Sequence, residues 1–404
     1  MNKRAIAVII AGFFTIFVAY AIRYSFGLLL PHMLTSLEIS KTQAGVIYSS
    51  YFIAYSVFSP ILGLLTDRYD NRVLLTLFVF ILGIGAFLMS YSSSVINASL
   101  FFTIAGIGHS ACWVPVVTLV QRWVSDRYRG TALAFTDLGS ATGIIVWSMT
   151  MPLIVSGYSW MVGWKFLGIS ACVVAGLNYL AVREPPEDKP ASGNQLADKG
   201  PGESFWITYR KLFRDTSFWL IGMSYLLIGF SILIPFTFLS TYAVQELNMP
   251  YNIATGLIAV IAIAGVFGKL TLGHLSDIFD RTRLMMLCGA LTAGGSLGIA
   301  YSQVFFTICI FTAVFGIGYG AIWAIYAAAS RDYFPREISG SVIGLWTLYL
   351  GVGSILSPVI AGWAIDRTGS YTWAFLLSVI SSVISLLLLL PIHRKSPDHM
   401  GKNA

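Results

Sequence analysis

Arg23, Asp137 and Lys269 are the three formally charged side chains that fall well inside long apolar stretches of this chain. A charge at the centre of a bilayer costs ~2.5–3.5 kcal/mol on insertion scales, so each needs a partner or water. Asp137 stands seven residues past Gly130, where its stretch opens, and so ~10 Å deep at 1.5 Å per helical residue. Lys269 stands eight residues before Asp277, ~12 Å from the same face. Opposite charges at matching depth suggest an ion pair. Losing one partner of such a pair in a dry interior costs ~3–5 kcal/mol. The alternative is that Asp137 hydrogen-bonds within its own bundle while Lys269 reaches towards the membrane surface. Arg23 lies eight residues before Pro31, ~12 Å below the opposite face, and no acid shares its depth. An unpaired guanidinium facing a cavity is an anion site, because it grips a carboxylate with two parallel hydrogen bonds. Its alternative is to satisfy helix-end carbonyls or outer headgroups.

The elements that must position these charges are apolar helices. Of the 404 residues, 56% are hydrophobic and 11% charged, and mean hydropathy is +0.76. A soluble domain carries about 25% charge, so lipid must be the solvent. Twelve stretches are long enough to span: 5–30, 43–65, 72–92, 95–121, 130–155, 160–182, 218–243, 252–275, 282–301, 303–329, 339–363 and 371–391. The second six repeat the first six at an offset of 210 residues. Gly63-x-x-x-Asp67 returns as Gly273-x-x-x-Asp277, Trp113 as Trp323, and Gly130 as Gly340. Two tandem six-helix units imply an all-α membrane protein built as two pseudo-symmetric bundles, residues 1–182 and 215–404, the architecture of a secondary transporter. The pairs Gly139-Ser140-x-x-Gly143 and Gly351-x-Gly353-Ser354 suit close helix packing.

Between the bundles, 183–214 is rich in Pro, Gly and charge and reads as a linker, with an amphipathic basic segment at 205–213. With both termini on the cytoplasmic side, only Lys41, Lys165 and Arg367 face outwards and Arg23 and Lys269 lie within helices, leaving 20 of the 25 Lys and Arg inside. The formal charge of +7 is therefore a topology signal, and its scatter over many short loops argues against nucleic-acid binding. The first apolar run lacks a cleavage site and reads as a membrane helix. Cys112, Cys172, Cys288 and Cys309 have neither metal-ligand nor disulfide spacing. Gly316-x-Gly318-x-Gly320 lies within a helix and is no phosphate loop. No cofactor is expected, and no clustered catalytic set suggests an enzyme.

The loop Gly63-Leu64-Leu65-Thr66-Asp67-Arg68-Tyr69-Asp70-Asn71-Arg72 resembles the signature G-x-L-x-D-R-x-x-x-R of the major facilitator superfamily. Gly273-His274-Leu275-Ser276-Asp277 resembles its second copy, and the likeness extends over the whole chain. It implies a gating latch at one membrane face, in which Gly63 and Gly273 admit a neighbouring helix and Asp67, Asp277, Arg68 and Arg72 form polar bonds. In Gly268-Lys269-Leu270-Thr271-Leu272-Gly273, the lysine looks like the substrate-binding arginine of the monocarboxylate and oxalate branch. Arg23 sits within about a residue of another cation of that branch, whereas the branch's acidic residue is Gly265 here and the superfamily's helix-four arginine is Phe102.

In this fold the fifth and eighth helices meet between the halves, which would bring Asp137 to Lys269. The first, fourth, seventh and tenth helices line the pathway and carry Tyr20, Tyr24, His109, Trp113, Tyr225, Tyr319, Trp323 and Tyr326. Trp113 and Trp323 should face each other across the pseudo-twofold axis. An aromatic, hydroxyl-rich cage with one or two cations suits a small organic anion, while each ring singly could equally be packing. His109 is a candidate proton carrier or a neutral hydrogen-bonded histidine. The resemblance implies a monomeric carrier in the cytoplasmic (inner) membrane, moving a mono- or dicarboxylate by proton symport or anion exchange. A proton-coupled drug exporter would instead present a carboxylate to its substrate, and a membrane receptor would carry a soluble domain.

Overall fold

The computed structural model describes residues 3–66, 68–183, 210, 212–276 and 278–393. Asp67, Asp277 and most of the 183–214 linker, with most of its amphipathic segment, lie outside the described residues. Thirteen helices are present among those described. The first seven are α1 (Lys3–Ser36), α2 (Lys41–Thr66), α3 (Asn71–Met89), α4 (Val95–His109), α5 (Val114–Trp123), α6 (Asp126–Gly157) and α7 (Trp160–Ala181). The other six are α8 (Thr216–Gln245), α9 (Tyr251–Leu275), α10 (Arg281–Tyr301), α11 (Phe305–Tyr333), α12 (Arg336–Thr368) and α13 (Thr372–His393). They make twelve spans long and apolar enough to cross a membrane, α4 and α5 together forming one. Ser110 to Trp113 interrupt that span just ahead of Pro115, which lacks a backbone donor. The image of Pro115 is Ile325, and α11 runs through it unbroken.

The repeat is visible in the helix starts. α2 and α9, α3 and α10, α4 and α11, and α6 and α12 each begin 210 residues apart. The caps repeat as well. Asp70 accepts from the Arg72 backbone N–H at 2.7 Å at the head of α3, and its image Asp280 accepts from the Arg283 N–H at 2.9 Å at the head of α10.

Several boundaries differ from the sequence reading, and two of them bear on the charged residues. Pro31 does not end the first helix, which continues to Ser36. Arg23 is thus thirteen residues, ~20 Å, from that end and nearer the middle of the helix. A proline inside a membrane helix frees one carbonyl, which neighbouring helices can shelter. α6 begins four residues before Gly130, so its first turn projects beyond the depth assumed for it.

Within the first half α1 packs on α6 and α7, α3 on α7, and α2 and α3 on α4. Within the second, α11 packs on α9 and α10, while α8 and α13 pack together and against α12 and α10 respectively. Small residues set these distances: a Cβ at Gly143 would sit 2.3 Å from the Phe17 carbonyl oxygen. The halves meet through α1 with α8, α2 with α12, and α6 with α9.

One end between the halves is tightly closed. Asp366 at the end of α12 accepts from the Lys41 N–H at 3.1 Å, the Thr42 N–H at 2.8 Å and the Thr42 hydroxyl at 2.6 Å. The Ser49 hydroxyl donates to the Ile355 carbonyl at 2.5 Å, and the Tyr251 hydroxyl to the Leu28 carbonyl at 2.8 Å. A Cβ at Gly27 would lie 3.2 Å from the carbonyl oxygen of its own image, Thr237. The opposite end carries the signature loops, and the halves part there. Among the described residues nothing lies within 4 Å of where a Cβ would stand at Gly63, Gly130, Gly273 or Gly340. The close approach read from Gly63 and Gly273 is therefore not made in this conformation.

Candidate substrate site

Arg23 lies on α1 with 7% of its surface exposed, enclosed chiefly by aromatic rings. Its guanidinium carbon is 4.6 Å from the Phe52 ring centre, 5.3 Å from Tyr24, and 5.8 Å from both Tyr20 and Tyr55. Such contacts contribute ~0.5–2 kcal/mol each, which explains how a guanidinium is held here without an acid. Its Nε is enclosed and has no hydrogen-bond partner among the described residues, and the same is true of the Tyr48 hydroxyl. The two terminal nitrogens are not among the enclosed, unpartnered atoms.

The second half supplies the facing wall. The Tyr24 and Tyr319 hydroxyls meet at 3.3 Å, Phe236 lies tilted against Tyr24 with centres 4.1 Å apart, and Trp323 lies edge-on to Tyr319 at 5.1 Å. Tyr326 is bonded to the Ser224 hydroxyl at 2.6 Å and stacked on Tyr225 at 4.3 Å. Trp113 is 41% exposed at the break ahead of α5, Trp323 is half-buried, and no ring contact joins the two among the described residues. His109 is a hydrogen-bonded histidine, with Nδ1 against the Tyr51 hydroxyl. Tyr20, Tyr51 and Tyr55 surround its ring, at 5.5, 5.8 and 5.2 Å.

Lys269 on α9 donates to Asp137 Oδ2 on α6, joining the halves where the open cleft begins. The pair that depth and the adjacency implied by the family resemblance suggested is formed. It is not dry, however: the side chains are 41% and 27% exposed, respectively. Solvent reaching side chains exposed to this degree would screen both charges, bringing the cost of removing one partner towards that of a surface pair, ~0.2–1 kcal/mol.

In the signature loops, Arg68 is exposed, and Arg72 turns back onto α7, donating from Nε to the Tyr179 carbonyl at 2.8 Å with its guanidinium 4.2 Å from that ring. In the second loop Arg281 pairs with Asp332 at 2.9 Å. Phe52 and Tyr55 are site residues that the sequence reading passed over. The spacing Tyr48, Tyr51, Phe52, Tyr55 is a helical stripe of aromatics and could have flagged α2 as a wall of the site.

Twelve membrane helices in two repeated bundles, shut at one end and parted at the other around a cation, are the architecture of a membrane transporter. The chain belongs to the Major Facilitator Superfamily, whose family model matches residues 12–274 and 254–403. It is 25% identical to the hexuronate transporter of Bacillus subtilis (strain 168), with 100% of this chain and 99% of that protein covered. It is 23% identical to monocarboxylate transporter 12-B of Danio rerio, over 83% of this chain and 75% of the relative. A bacterial homologue of the human lysosomal transporter Spinster, solved in an inward-facing and unoccupied conformation, shares the fold with TM-score 0.81 and 16% identity, over 96% of this chain and 98% of that one.

Proposed function

We propose that this protein carries a small organic anion bearing a carboxylate across the cytoplasmic membrane by alternating access. The observation that carries this reading is the Arg23 guanidinium, held by aromatic rings between the halves with no acid paired to it. A carboxylate would take the terminal nitrogens in a two-pronged hydrogen bond. The Tyr20, Tyr24 and Tyr319 hydroxyls stand close enough to bind the rest of the molecule. The names of the relatives, a hexuronate and a monocarboxylate transporter, agree with an acid of this kind.

The distribution of Lys and Arg places both termini and the 183–214 loop in the cytoplasm. The parted end is then the inward end, and Gly63 and Gly273 come into use when the carrier turns outward and that end closes. Lys269 and Asp137 hold the halves together at the apex of the cleft. The carrier acts as a monomer, with a proton or a second anion as its coupled partner. The test is thermal stabilisation of the purified protein by a panel of carboxylates, D-glucuronate, D-glucarate and lactate, set against cationic drugs. Stabilisation by at least one carboxylate and by no cation is expected; stabilisation by cations alone contradicts the reading.

A further inference from the structure

Resting on the reading of Arg23 as the carboxylate site, we infer that the preferred cargo is an aryl carboxylate, an acid group on a flat ring poor in hydroxyls, rather than a sugar acid. Arg23 fixes the acid group, so the groups that meet the rest of the molecule decide its class. Around the guanidinium those groups are rings. The ring centres of Tyr20 and Tyr55 lie 5.8 Å from its carbon, and both residues are only half-buried. Trp323 is half-buried too, edge-on to Tyr319 on the facing wall. Aromatic faces left open in this way favour a second ring, offset or edge-on.

The helices that meet across the halves or wall the cage are α1, α2, α4, α5, α6, α8, α9, α11 and α12. Outside the first and last three residues of each, they contain no Asn, Gln or Glu, and Asp137 is their single Asp. That carboxylate is held by Lys269. Hydroxyls on α8 and α12 turn back on the protein: Thr237 donates to the Leu233 carbonyl at 2.6 Å, Ser357 to the Phe230 carbonyl at 2.6 Å, and Ser224 is bonded to Tyr326 at 2.6 Å. A sugar acid presents a row of adjacent hydroxyls, each a donor and an acceptor. Carboxamides and carboxylates grip such hydroxyls in pairs, whereas a phenol serves one at a time. Buried here, most hydroxyls of a sugar acid would stay unpaired, which costs binding, while an aryl ring brings none to be paired.

Titration calorimetry on the purified, folded protein compares phenylacetate, cyclohexylacetate and D-glucuronate. Phenylacetate should bind roughly 10- to 100-fold more tightly than D-glucuronate, the discrimination that a hydrophobic site exerts against added hydroxyls. It should also bind about 2- to 12-fold more tightly than cyclohexylacetate, which has similar bulk without the aromatic face. D-glucuronate bound as tightly as phenylacetate, or more so, overturns the inference. Cyclohexylacetate bound as tightly as phenylacetate overturns its aryl part.

One variant tests the role of the lining residues directly. Trp323→Gln takes away an open ring and supplies a carboxamide, and should narrow the preference for phenylacetate over D-glucuronate by about tenfold. A folded Trp323→Gln protein with the wild-type preference overturns that role. Failure of the underlying reading looks different. If no carboxylate binds, or if phenylacetate binding survives Arg23→Gln, the carboxylate site is wrong and the cargo class falls with it. If binding needs Arg23 but D-glucuronate is preferred, only the cargo class fails.

Discussion

On α7 the residues Gly168, Ala171, Cys172 and Ala175 stand where α13, 210 positions later, has Ser378, Ser381, Ser382 and Ser385. The first set packs by closeness: a Cβ at Gly168 would fall 2.6 Å from the Phe87 backbone nitrogen. The second set packs by hydrogen bonds. Ser378 is bonded to the hydroxyls of Ser231 and Ser296 at 2.7 and 2.8 Å, and Ser382 to those of Ser231 and Thr292 at 2.7 and 3.1 Å. Ser385 reaches Ser224 at 2.7 Å, and Ser224 holds Tyr326. The images of Ser231, Ser296 and Thr292 are Ala21, Ala86 and Leu82. The same backbone is thus stitched by hydroxyls in one half and by small apolar residues in the other. The site is divided likewise. The image of Arg23 is Leu233, 2% exposed and fully apolar. The first half supplies the charge, and the second supplies a hydroxyl-braced aromatic wall.

The sharpest way to break this contrast is to put the charge on the wrong side. Leu233→Arg should destabilise the purified protein by ~2.5–3.5 kcal/mol, because it puts a charge at a position that is 2% exposed. Wild-type thermal stability in that variant would mean that the two environments are interchangeable. The packing contrast predicts a smaller pair of effects. Gly168→Leu should cost ~1–3 kcal/mol through overpacking against α3. Its image substitution, Ser378→Ala, should cost only ~0.6 kcal/mol and at most ~1.7, typical of hydrogen bonds between membrane helices. Denaturant titrations in detergent would rank them, and the reverse order would refute the distinction. The smallest effect belongs to the bridge between the halves. A double-mutant cycle of Asp137→Asn and Lys269→Gln should show a coupling of ~0.2–1 kcal/mol, reduced by solvent screening. Strict additivity would mean that the pair contributes nothing to the join.

Much of the fold could be read from residue types, because a 210-residue offset constrains every helix at once. The starts of α2, α3, α4 and α6 all carry over to their images. Boundaries failed where a local signal was overruled: Pro31 and Gly130 look like helix ends, but lateral packing carries α1 and α6 through them. The Asp137–Lys269 bridge was legible because two isolated charges in lipid have few ways to be satisfied. The cage was half legible. Tyr20 and Tyr24 share a helix with Arg23, but Phe52 and Tyr55 come from α2. Both faces of such a helix are apolar, one against protein and one against lipid, so hydrophobic pattern does not say which ring turns inward. The closing of one end by Asp366 was not legible either, since a carboxylate at a helix end reads as ordinary loop chemistry.

The central claim is that Arg23 holds the carboxylate. Its most direct test is the affinity of D-glucuronate for wild type, Arg23→Gln and Arg23→Lys, measured by titration calorimetry on protein shown to be folded by its unfolding midpoint. Losing a charged, two-pronged hydrogen bond of ~1.5–3 kcal/mol should weaken binding roughly 10- to 150-fold in the glutamine variant. Lysine should recover part of it, keeping the charge without the fork. Equal affinity in wild type and Arg23→Gln would contradict the account.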